Sequence, residues 1–338
     1  WINALRDAMG RVGDEVRKSA VAVGVSGQQH GFVPVSKNGE VLARVKLWCD
    51  TSTVAECDEI MEAYGGPQKC LDEVGNLVAP GFTASKIRWF CKEGGSLYDQ
   101  MDSIMLPHDY LNYYLTGEQC MEAGDASGTG FFSIRDREWS SEMLAAIDPG
   151  RDLRECLPEV RTDNAAIGSL RDSVAERLGL PRGVPVATGG GDNMMGAIGT
   201  GNVSLGTVTM SLGTSGTVYA YSDRPVIDPK GSIAAFCSST GGWLPLLCTM
   251  NCTVSTELMR TLVNADIASF ERQVSTAGRG AEGLLTIPFF NGERTPNLPN
   301  AKGCILGLDT RNSRPVSYTH LTLPTTGIRC RSRWSPYH

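Results

Sequence analysis

The chain has 338 residues, 41% of them hydrophobic and 20% charged, enough for about two globular domains with sizeable cores. Its net charge of −6 argues against a nucleic-acid or membrane-surface partner, either of which leaves a basic footprint, and no apolar run reaches the ~18 residues of a membrane span. The 11 cysteines are scattered without a CxxC pair. They are expected to be reduced, small hydrophobic residues of a cytoplasmic protein, with no metal site. The chain opens on Trp1 rather than Met, so its native N-terminus, with any targeting segment, is expected to lie upstream.

Ile2, Leu5, Met9, Val12 and Val16 recur at steps of three and four and predict one helical face over residues 2–17, which Gly10 and Gly13 weaken but need not break. The short β-branched run 21–25 predicts a buried strand. Residues 32–35 and 41–48 predict two more, joined by an Asn38-Gly39 turn. Thr53-x-x-Glu56 predicts a capping box, and Gly65-Gly66-Pro67 ends the helix it opens. Further helices are expected near 84–93, 103–115 and 172–178, the last stopped by Gly179 and Pro181. Residues 184–188 form a strand running into a triple glycine. This alternation predicts an α/β domain with a mixed sheet.

Past residue 200 the pattern turns to hairpins. Strands are expected at 207–212 and 217–221, then at 233–238 and 243–248, before a helix over 253–263. A domain boundary is placed near 197, giving domains 1–197 and 198–315. Residues 316–338 hold no acidic residue and no sustained period, and are expected to be a non-native tail.

Three constellations could carry chemistry. Gly189-Gly190-Gly191-Asp192-Asn193 stands where a strand ends and a helix begins. Glycines let the backbone approach a ligand, and an acid there points into the crevice where α/β proteins bind ligands. Helix capping by Asp192 explains the motif equally well by itself. Gly213-Thr214-Ser215-Gly216, between two strands, exposes successive backbone N–H groups and two hydroxyls, which suits phosphate. An ordinary hairpin turn fits the same four residues. Gln29-His30 follows the first strand and offers donors and acceptors to a polyhydroxy ligand, although a lone histidine is more often structural.

Taken in order, these segments resemble the FGGY carbohydrate kinases. Gly81-Phe82-Thr83-Ala84-Ser85-Lys86-Ile87-Arg88-Trp89-Phe90 fits that family's first signature. Leu106-Pro107-His108-Asp109-Tyr110-Leu111 with Leu115-Thr116-Gly117-Glu118, then Asp125-Ala126-Ser127-Gly128-Thr129 and Gly292-Glu293-Arg294-Thr295-Pro296, are similar to further family segments. The resemblance runs to about Pro315. It implies an α/β actin-like (ribonuclease H-like) ATPase fold, two domains around a cleft, with the second incomplete. It implies transfer of the ATP γ-phosphoryl to a sugar hydroxyl, with Mg2+. Residues 26–31 and Trp48-Cys49-Asp50-Thr51 point to D-xylulose as the sugar, with gluconate, ribulose or another open-chain sugar as alternatives, or a non-catalytic sugar-binding role. On the family pattern Asp192 is the general base, and Gln29, His30 and Asn193 join it in contacting the sugar. Gly213, Thr214, Ser215 and Gly216 hold the transferring phosphate. The expected partners are sugar and ATP, with a homodimer left open.

The sequence departs from the family in three places. No DxGT-type hairpin precedes Trp1, the second signature begins at Gly303-Cys304-Ile305-Leu306-Gly307-Leu308 and fails beyond Pro315, and the later adenosine segment is absent. The sugar side of the site is therefore expected to be nearly complete and the ATP side not. By itself the chain is expected to show no sugar-dependent ATP turnover.

Overall fold

In the computed structural model, which describes residues 1–161, 165–277, 280–296, 298 and 300–312, the N-terminal helix is split. Ile2–Gly10 and Asp14–Lys18 are separate helices, with Gly13 at ψ 145° as the N-cap of the second. Gly10 and Gly13 therefore do break the predicted single helix. Glycine loses the most backbone freedom on entering a helix, and two within four residues make interruption easier than continuation. The expected tail over 316–338 lies outside the described residues.

The chain divides into two compact units. The first comprises Trp1–Thr209 and Tyr219–Leu246, the second Met210–Val218 and the described residues from Leu247 onward. A three-stranded sheet, ordered Val208–Leu212, Gly216–Ala220, Leu246–Thr249, contains the points at which the chain passes from one unit to the other.

The first unit holds the large cores. Helices Val54–Tyr64 and Thr83–Glu93 bury Ile60, Tyr64, Ile87 and Phe90 against Ile104, Phe131, Phe132 and Ile134. Each such side chain taken out of water contributes about 1.5–3 kcal/mol. A second cluster packs helix Asp172–Leu178 through Val174 and Leu178 onto Leu115, Leu170 and Val186, with Leu5 and Met9 against it.

Several expectations change in three dimensions. Within residues 21–25 Val23 bridges Val186 in parallel, but Val21 is 83% exposed, so this is not a buried strand. Strand Val33–Ser36 pairs antiparallel with Met101–Met105, not chiefly with 41–48, which contributes only the bridges Val35–Val41 and Phe32–Lys46. The predicted helix 103–115 accordingly starts at Pro107, after that strand. Thr53 does precede Val54–Tyr64, but its hydroxyl makes no capping bond. It pairs with Ser85 Oγ at 2.8 Å, while Glu56 pairs with Lys92 at 2.9 Å. Tertiary partners have taken both ends of the capping box.

Candidate active site

The Gly189–Asn193 run is shaped by contact with the segment after residue 25. Strand Ser26–Gly27 pairs in parallel with Gly190–Gly191, Ser26 opposite Gly190 and Gly27 opposite Gly191. Gly189 has φ +63°, and a Cβ there would stand 2.2 Å from the Val25 carbonyl oxygen. One at Gly191 would stand 2.7 Å from Gln29 Cγ. The glycines thus permit a close approach that side chains would block.

Helix Asp192–Gly199 starts directly after this pairing. Its N-cap is Gly191, without a side-chain cap, and Asp192 is the first helical residue. The Asp192 carboxylate accepts from the Asn193 amide at 2.9 Å. Its side chain reaches the surface, yet the protein around it strips enough solvent to push the carboxyl above its ordinary range. The Asn193 amide and His30 pull the other way, and the buried Asp125 charge adds to the rise. A carboxylate raised in this way is a better proton acceptor.

Gln29 and Asn193 are brought together. Asn193 Nδ2 donates to Gln29 Oε1 at 2.8 Å, and Gln29 Nε2 donates to Met194 Sδ at 3.2 Å. His30, next along, has φ +59°, uncommon outside glycine and held only where neighbours over-determine it. Its amide donates to Asp125 Oδ1 at 3.2 Å. Its carbonyl accepts from Lys86 Nζ at 3.0 Å and Thr83 Oγ1 at 3.2 Å. The ring lies 5.1 Å from that of Phe82 and 5.4 Å from that of Phe236. Gly128 sits against it, where a Cβ would come within 1.8 Å of Cε1.

Beneath these residues lies a charged layer that sequence reasoning missed. Asp125 is fully buried; His108 Nδ1 meets its Oδ2 at 2.9 Å, and His30 Nδ1 lies 3.4 Å from its Oδ1. Burial would raise the Asp125 carboxyl, but His108 and His30 outweigh it and bring it down to about 2. Burial likewise would lower His108, yet Asp109, 2.9 Å from its Nε2 though out of hydrogen-bond alignment, and Asp125 hold it well above an ordinary imidazole. Glu122 accepts the amides of Gly124 and Asp125 and the Ser239 hydroxyl. Lys86 is fully buried too, its Nζ donating to the carbonyls of His30 and Gly81, and burial lowers it to about 8. The available signal was the density of ionisable residues within the apolar runs 81–90 and 106–111 and at 122–125.

In the second unit, residues 213–216 form the turn between strands Val208–Leu212 and Gly216–Ala220. Gly213 N donates to Ser215 O at 3.0 Å. The carbonyls of Gly213 and Thr214 accept from Thr253 N at 2.9 Å and Cys252 N at 3.2 Å. Among the described residues no group of three or more His, Cys, Asp or Glu is arranged to hold a metal ion, and no helix is long and apolar enough to cross a membrane.

Comparison with known proteins identifies the fold and the family. A solved xyloylose kinase from Brucella ovis superposes with a TM-score of 0.82 at 30% identity, covering 94% of this chain and 64% of that one. The fold is thus the α/β actin-like ATPase fold of sugar kinases. The chain belongs to the FGGY family of carbohydrate kinases, whose N-terminal domain matches residues 1–199. It is 45% identical over 319 residues to the xylulose kinase of Haemophilus influenzae and 37% identical over 310 residues to that of Streptomyces rubiginosus. These alignments cover 92% and 91% of this chain, and 65% and 61% of the two relatives' own lengths.

Proposed function

We propose that the chain carries the sugar-binding end and the general base of a kinase that transfers the γ-phosphoryl of MgATP to a hydroxyl of D-xylulose. The observation that carries this reading is the 2.8 Å bond between Asn193 and Gln29. It unites two sequence-distant candidate sugar contacts at the helix start that also bears Asp192. The xylulose kinase names of the relatives support the choice of sugar.

In this reading the sugar hydroxyl oxygen attacks the γ-phosphorus, the bond to the ADP oxygen breaks, and Asp192 takes the hydroxyl proton. Phosphoryl transfer leaves little covalent work to the protein, so position and charge dominate. Gln29, His30 and Asn193 hold the sugar, and Asp192, raised by its surroundings, removes the proton. In the 213–216 turn the N–H groups of Thr214 and Ser215 receive the transferring phosphate, whose charge Mg2+, arriving with the nucleotide, would help neutralise.

The test is Asp192→Asn in a kinase spanning the relatives' full length. Turnover in a coupled ADP-release assay should fall by at least about 100-fold, while the calorimetric affinity for D-xylulose changes little. Near-normal turnover would remove Asp192 from the role of base. A panel with gluconate and ribulose separates D-xylulose from the sister substrates.

A further inference from the structure

The second unit contains a buried carboxylate whose contacts lead to the phosphate-facing turn. Glu293 is 4% exposed. Its Oε1 accepts from the amides of Met250 at 2.7 Å and Arg294 at 2.8 Å. Its Oε2 accepts from Thr249 Oγ1 at 2.7 Å and Asn251 Nδ2 at 3.1 Å. Four donors come close to filling the acceptor capacity of an ionised carboxylate. Burial would raise this carboxyl, but the donors hold it below its ordinary range. Asn251 closes the arrangement: Nδ2 also donates to Gly292 O at 2.6 Å, and Oδ1 accepts from Asn291 N at 3.3 Å. Residues 249–251 are therefore pinned to 291–294.

The next two residues hold the turn. Cys252 N donates to Thr214 O, and Thr253 N donates to Gly213 O. A Cβ at Gly216 would stand 3.1 Å from Thr249 Cγ2 and 3.2 Å from Cys252 Cβ, so turn and loop are in direct contact. In a trans peptide the carbonyl and the following N–H point in opposite directions. Directing the Gly213 and Thr214 carbonyls at residues 252 and 253 turns the N–H groups of Thr214 and Ser215 to the other side of the turn. Two N–H groups fixed in common make an anion-binding concavity.

We propose that Glu293 is a positioning residue for phosphate recognition by Thr214 and Ser215, acting through the loop 249–253. The proposal rests on the reading of residues 213–216 as the phosphate holder. Glu293 touches no phosphate itself, and a negative charge at the turn would repel one. Its part is to order the loop whose amides orient the turn.

The experiment uses the 15N-labelled full chain titrated with inorganic pyrophosphate, followed at the Thr214 and Ser215 amides, with D-xylulose binding to the first unit as a control. Saturable shifts at both amides are expected in the unchanged chain. Glu293→Ala should weaken pyrophosphate at least tenfold with D-xylulose affinity unchanged. Glu293→Gln, which keeps an acceptor for the Met250 and Arg294 amides, should recover part of the loss. If the unchanged chain responds and Glu293→Ala binds equally well, the Glu293 proposal is overturned and the phosphate reading of the turn stands. If the unchanged chain shows no shift at Thr214 and Ser215, that reading falls and takes the proposal with it. Should Glu293→Ala lose amide dispersion across the second unit, Thr249→Val decides: weaker pyrophosphate binding with dispersion intact supports the proposal, and unchanged binding overturns it.

Discussion

Asp125 serves two imidazoles and one backbone amide from within the protein interior. Removing one member of a buried ion pair leaves the other charge without compensation, at a cost of about 3–5 kcal/mol. Asp125→Ala should therefore lower the urea-unfolding stability of the first unit by about that amount, and an effect below ~1 kcal/mol would contradict the described network. The same network predicts a pH dependence. His108 is raised well above an ordinary imidazole. Its contribution is complete below about pH 6.5, the unfolded value, and is lost as pH rises toward the folded value. Lys86, lowered to about 8, works the opposite way, since deprotonation relieves its burial and adds stability from that pH upward. The unfolding midpoint should thus decline between about pH 6.5 and 8, and His108→Gln should flatten the decline. An equal slope in the variant would remove His108 as its source.

At the level of elements, the pairing of Ser26–Gly27 with Gly190–Gly191 and the helix behind it set where Gln29, Asp192 and Asn193 lie. Gly191→Ala would press a methyl onto Gln29 and should weaken D-xylulose binding at least tenfold by calorimetry. A Cβ at Gly199, in the same helix, would meet nothing within 4 Å. Gly199→Ala should leave binding unchanged and stabilise by up to about 1 kcal/mol. Equal effects from the two would argue against a special role for the close approach. Elements with local punctuation were legible in the sequence: helix Asp172–Leu178 ends at Gly179 with φ +68°, and helix Thr253–Leu262 and the 208–220 hairpin lie close to their predicted places. Elements defined by distant partners were not. Residues 41–48 have strand-like composition but contribute only isolated bridges, at Phe32–Lys46 and Val35–Val41, while the ladder of Val33–Ser36 is with Met101–Met105, and Thr53 gives its hydroxyl to Ser85. The site divides likewise. Gln29, His30, Asp192 and Asn193 stand in recognisable runs, whereas Asp125, His108 and Lys86 matter only through contacts 17 to 95 residues away in the chain.

Across the whole molecule, the two units differ in how much apolar surface they bury. Among the described residues, the first holds three apolar clusters. In the second, Cys252, Met259, Ala281 and Leu284 are the buried hydrophobic side chains among the described residues, while Leu212, Leu262, Ile267 and Leu308 are more than half exposed. Local opening is easiest where few apolar contacts resist it. Amides of helices Thr253–Leu262 and Ile267–Thr276 should exchange with deuterium at least ~100-fold faster than those of Val54–Tyr64 and Thr83–Glu93. Equal protection in the two sets would show that the units open together.

The bond from Asn193 to Gln29 spans 164 positions of sequence. A ribosome adding about 5–20 residues per second needs roughly ten to thirty seconds to cover that distance. Throughout that interval Gln29 is already synthesised and its partner does not exist. The bond, and any arrangement that depends on it, therefore forms only after Asn193 has left the exit tunnel.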